Sequence, residues 1–143
     1  DWFLSQELSQ KCLVGLQLFR VIGGGFLIEM VNGHIPGIFA YPAGIGDIVV
    51  GAAAFGVLMF CRNRERIPGT FITFIIVIGM ADFLSAFFFG FTSTQGPFQL
   101  FFPDVPNRLI MFPTGMIPLF LVPYAIFFHV LSLLSYLKFR HQS

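Results

Sequence analysis

The chain has 143 residues, 56% hydrophobic and 10% charged, with a formal net charge of +1. Soluble domains run at roughly 45–50% apolar and about 25% charged, and a soluble fold of this length keeps too much of its surface in water to hide such a composition. The small net charge excludes a nucleic-acid partner bound by bulk charge, which needs a basic surface to release counterions. The bilayer is the expected solvent, and membrane lipid the expected surroundings. The 21 phenylalanines suit lipid-facing and inter-helix surfaces, because the side chain has no polar atom to satisfy.

The first ten residues lack the basic start and apolar middle of a signal peptide. The chain opens at Asp1, which raises the expectation of processing or of further spans upstream. The first apolar stretch, 13–32, has Ser9 as a candidate cap and stops at Asn32-Gly33. His34-Ile35-Pro36-Gly37 reads as a tight turn, and 38–42 as a lead-in to the second helix, 44–61, with Pro42 just before it. A basic loop follows, Arg62-Asn63-Arg64-Glu65-Arg66, and Pro68 opens the third helix, 69–91. More than 20 residues suffice to cross roughly 30 Å of hydrocarbon. The next loop, 92–114, holds several prolines among apolar residues. It reads as partly interfacial, with one short helix near Asn107–Phe112. The fourth helix, 115–137, carries Pro118 and Pro123 as candidate kinks.

The predicted fold is therefore an all-α membrane protein, a single domain of four transmembrane helices in a bundle. In such a topology Lys11, Arg62, Arg64, Arg66, Lys138 and Arg140 lie on one side and Arg108 alone on the other. Basic residues stay in the cytoplasm, so both termini are expected there. Cys12 and Cys61 lie near helix ends on that side, which argues against a disulfide framework. No internal repeat supports an inverted-repeat transporter built from this chain alone.

Helices associate in lipid through small residues. The second helix offers Asp47, Gly51 and Ala54 at helical spacing, with Ala52 and Gly56 as a further small pair. The third offers Gly79, Asp82, Ala86 and Gly90, and the first offers Arg20 with Gly24 inside Gly23-Gly24-Gly25. Charges sharing stripes with small residues should face the bundle interior, with the phenylalanine-rich faces outward.

Ionisable groups at membrane depth face a partner, a cavity or a ligand. At 1.5 Å per residue, Arg20 lies roughly 13 Å from the inner edge, Asp82 roughly 16 Å and His129 roughly 13 Å. The three are thus expected at one level. They fit a salt bridge that fixes helix register, a proton or ion path, or contacts to a polar headgroup or cofactor. Glu29, His34 and Asp47 form an outer-face group. Asp47 reads as a helix N-terminal cap, and Glu29 sits about half a turn round the helix from Arg20.

No His-x₃-His or cysteine-rich spacing supports a metal site. A two-histidine haem would need a second intramembrane histidine, and His34 and His141 fall at the two edges. Nucleophile-elbow, Walker and zincin patterns are missing, and the triple glycine lies inside a span, where a phosphate cradle is out of place. Ser132 and Ser135 are expected to bond their own helix backbone. No cofactor is predicted, although a lipid or other hydrophobic ligand fits the composition.

Three stretches carry a resemblance: Phe19-Arg20-Val21-Ile22-Gly23 with Phe26-Leu27; Ile35 to Asp47, ending in Pro-Ala-Gly-x-Gly-Asp, with Val50-Gly51; and Pro118, Leu121-Val122-Pro123 and His129 to Leu133. Together they resemble a family of small bacterial integral membrane proteins with no assigned reaction, often with spans upstream. A weaker likeness, in length and in the glycine-rich second helix, is to DoxX-like four-helix membrane proteins. The resemblance implies an inner-membrane location. The expected function is a non-enzymatic one, a small subunit or accessory protein working with other membrane subunits. The alternatives are transport through Arg20, Asp82 and His129, or binding of a lipid, quinone or pigment between the helices.

Overall fold

The apolar runs form four helices, each long and apolar enough to cross a membrane: α1 (Gln10–Val31), α2 (Gly37–Phe60), α3 (Gly69–Ser93) and α4 (Ile117–Lys138). The computed structural model describes residues 10–112 and 115–140, and among these there is no strand. Ser9, the candidate cap, and His141 lie outside the described residues.

α1 is not uniform. Its middle, Leu16–Gly24, winds as a 3₁₀-helix between two α-helical ends. Such runs rarely exceed three or four residues, and in them side chains three apart line up. Here that winding puts Gln17, Arg20 and Gly23 on one buried stripe. Its end follows from Gly33, whose φ of 74° suits the position after a helix cap. The amide of Gly33 donates to the Met30 carbonyl and that of His34 to the Glu29 carbonyl, the paired bonds of a Schellman stop.

α2 begins seven residues before the expected start at 44. Pro36, with extended backbone, caps it, and Pro42 lies inside the helix rather than ahead of it. Proline lacks a donor, so the Ile38 carbonyl loses its helical partner. α3 ends with Thr92, Ser93 and Thr94 hydroxyls donating to the carbonyls four residues back, at 2.5–2.7 Å. The loop then folds over this end. Leu100 and Phe101 amides donate to the Thr92 carbonyl, and Asn107 Nδ2 donates to Ser93 Oγ at 2.8 Å. The short helix expected near Asn107–Phe112 is a turn instead, closed by the Met111 amide on the Arg108 carbonyl. Pro113 just after disfavours helical backbone at Phe112, which leaves too short a stretch for a stable helix. α4 opens with one π-helical turn, Ile117–Leu121, around Pro118, and continues as α-helix over Val122–Arg140.

Two apolar clusters fill the interior. The lower one gathers Val14, Ala54, Val57, Cys61, Ile72 and Ile75. The upper one gathers Phe26, Ile35, Phe39, Ala40 and Ala43, with Phe26 and Phe39 edge to face at 5.2 Å. Many phenylalanines stand exposed on the outer faces, among them Phe55, Phe74, Phe88 and Phe127. Cys61 is buried and Cys12 exposed, and both are free thiols.

Candidate functional site

Between the two clusters, along every helix, lies a polar level. Its centre is Arg20, whose side chain is 1% exposed. Nε donates to Asp47 Oδ1 of α2 at 2.7 Å, and Nη2 pairs with Asp82 Oδ2 of α3. Nη1 faces the Gly79 carbonyl of α3 at 3.4 Å and His129 Nε2 of α4 at 3.5 Å. The guanidinium carbon sits 4.0 Å from the centre of the Phe83 ring, a cation–π distance. His129 meets the same ring edge to face at 5.8 Å. One side chain of α1 therefore touches all three other helices. An arginine only donates, so His129 Nε2 accepts and its ring proton belongs on Nδ1.

Close approach of these groups depends on glycines. A Cβ on Gly23 of α1 would collide with the Asp47 carboxylate, one on Gly46 of α2 with Asp82, and one on Gly79 of α3 with His129 and Arg20. Three of the four helices thus contribute a notch into which a charged or polar side chain of a neighbour fits. Gly51 and Gly24 serve backbone packing instead: their Cβ positions lie 2.6 Å from Val21 Cγ2 and 3.0 Å from Ile48 Cδ1. Ala54 is fully buried, Ala86 packs on the upper cluster, and a Cβ on Gly90 would just touch Phe39.

The structure thus brings Arg20, Asp82 and His129 together, and adds Asp47. Reading Asp47 as an outer-face helix cap is corrected. It is the eleventh residue of α2, about 15 Å along the helix at 1.5 Å per residue. Its outer-face companions stay apart from it. His34 Nδ1 and Glu29 Oε2 pair at 2.7 Å, with the His34 side chain 52% exposed, and so brace the end of α1. Ala52 and Gly56 also depart from expectation: Ala52 is exposed, and among the described residues nothing lies within 4 Å of a Cβ at Gly56. Ser132 bonds across to α1, its hydroxyl donating to Gln10 Oε1 at 2.9 Å, rather than to its own backbone.

Sequence reasoning passed over Gln17, Gly23 and Gly46. Gln17 is buried, and neither side-chain polar atom has a partner. The spacing Gln17, Arg20, Gly23 was the available signal, but its period of three falls in one line only if the helix is 3₁₀. Among the described residues no group of three metal-ligating side chains converges.

Above the polar level the bundle opens into a cleft of about 400 Å³. Its floor is formed by Asp47, Asp82 and Phe83, its walls by Phe26, Phe39 and Ala86, and its far end by Thr94 and Asn107. Phe87, Phe91, Ile110 and Leu119 line it and are exposed, so the mouth lies between α3, α4 and the loop that joins them. The π-helical turn of α4 supplies Pro118 and Leu119 to this rim. Mostly apolar clefts of this volume with a few convergent polar groups are the usual form of small-molecule sites.

Residues 4–137 match the family model described as "Domain of unknown function (DUF8737)", and the chain belongs to that family. No curated protein and no solved structure matches the chain.

Proposed function

We propose that this is an integral membrane protein that holds a hydrophobic small molecule in the cleft above Arg20, without catalysis. The observation that carries the reading is the cleft itself: about 400 Å³, aromatic walls and a carboxylate floor, opening on the side of the bundle. In a bilayer that mouth faces hydrocarbon, so a ligand would enter from the lipid. A quinone, a pigment or a lipid tail fits such walls.

The setting is a bacterial inner membrane with both termini cytoplasmic. Four helices of sufficient length support the membrane, the six-to-one split of flanking basic residues supports the orientation, and the bacterial assignment rests on the sequence resemblance. Membership of a larger assembly draws on the apolar outer faces alone, which lipid would cover as well. Transport would need a passage past Arg20, where the hub side chains are almost fully covered and the lower core is packed.

Purification in mild non-ionic detergent followed by native mass spectrometry tests the reading. A small molecule retained by the wild type and lost on Ala86→Phe, which fills the cleft, is the expected result. A protein that carries nothing, and takes up no hydrophobic ligand on titration, would sink it.

A further inference from the structure

The ligand's chemical class can be narrowed from the charges at the floor, given that the cleft is a binding site at all. Arg20 is one cation set against two carboxylates, and His129 accepts rather than donates toward it. With both carboxylates ionised, the hub carries one negative charge more than its positive charge. Uncompensated charge away from water costs several kcal/mol or more, so either a proton or a bound cation must balance it. The two carboxylates line the cleft, whereas Arg20 and His129 do not, and no basic residue is among its lining. Each carboxylate gives one oxygen to Arg20, and Asp47 Oδ2 and Asp82 Oδ1 take no hydrogen bond among the described residues. Those two oxygens lie against Gly23 and Gly46 in the helix notches, and the Asp82 side chain, 8% exposed, lines the base of the cleft with Asp47 beside it. Phe26, Phe39, Phe83 and Phe87 line the same cleft. A cleft lined by aromatic rings and carboxylates, with no basic residue, attracts a cation and offers nothing to an anion.

The geometry points to a lipophilic cation as the ligand: an amine or quaternary onium group seated against Asp82 and Asp47, with its apolar body between the phenylalanines. Asp82 is the principal counter-ion and Asp47 the second, while Arg20 holds both carboxylates in place from behind.

Tetraphenylphosphonium and tetraphenylborate, nearly equal in shape and opposite in charge, test this on the full chain in non-ionic detergent by equilibrium dialysis. The phosphonium should bind saturably and at least about tenfold more tightly than the borate, from the Coulomb term at a partly screened site. Asp82→Asn should erase that preference and Asp82→Glu should keep it, with circular dichroism and gel filtration confirming that both variants are folded. Ala86→Phe, one turn from the hub, should abolish binding of either ion. Equal binding of both ions, or preference for the borate, overturns the cation assignment and leaves the cleft as a hydrophobic site. Binding of neither ion by a wild type that retains a neutral molecule does the same. If neither ion binds and nothing is retained, both readings fall.

Discussion

The two halves of the bundle, below and above Arg20, are built from the same apolar residues but close differently. Below, Ala54 and Cys61 are fully covered and Ile72 and Ile75 nearly so, and the helices meet in a closed core. Above, the rings of Phe26 and Phe39 fill the α1–α2 side, while α3 and α4 leave a cleft between them. The backbone explains much of the difference. The lower part of α4 is regular α-helix, and its upper end is a π-helical turn around Pro118. The lower half is a scaffold that fixes the hub, and the upper half is where the hub's carboxylates meet open space. On the ligand-binding reading proposed above, this boundary is the binding floor.

Several substitutions would break or sharpen this contrast. The largest effect is expected at the boundary: Arg20→Leu leaves two buried carboxylates unpaired and should cost about 3–5 kcal/mol, measured by denaturation in mixed micelles. Adding Asp47→Asn and Asp82→Asn to the same chain should recover a large part of that loss. Next comes the closed half, where Ile75→Ala should cost about 2–5 kcal/mol. By contrast, Ala86→Phe in the open half should be tolerated while it removes ligand binding. Gly23→Ala pushes a methyl into the pinned Asp47 carboxylate and should cost about 1–3 kcal/mol. Gly56→Ala, into open space, should be neutral or stabilising by up to about 1 kcal/mol, so the pair separates notch glycines from incidental ones. The smallest change is at the outer brace, where Glu29→Gln breaks an exposed pair expected to contribute about 0–1 kcal/mol.

Much of the polar level is legible in the sequence. Depth reckoning along three helices set Arg20, Asp82 and His129 at one level, and they meet. Asp47 falls on the inward stripe of small residues, but a helix start after Pro42 places it at the outer edge rather than at this level. Moving the start to Gly37 carries the aspartate seven residues, about 10 Å, deeper. In an α-helix Gln17 and Gly23 each flank Arg20 but spread over a wide arc, whereas the 3₁₀ winding brings all three into one line. Ala52 and Gly56 show the reverse failure, since small residues at the right spacing need a partner helix opposite them, and among the described residues nothing lies within 4 Å of a Cβ at Gly56.

What the sequence determined by itself is the number, length and apolar character of the helices and the rarity of charge within them. Those follow from local composition and the 1.5 Å rise. The tertiary structure alone decided which carboxylates share the arginine, which glycines are notches, and that the packing opens above the hub. Those depend on how the helices face one another, on one stretch of 3₁₀ winding and on one π-helical turn, and such geometry is set by contacts between segments far apart in the chain.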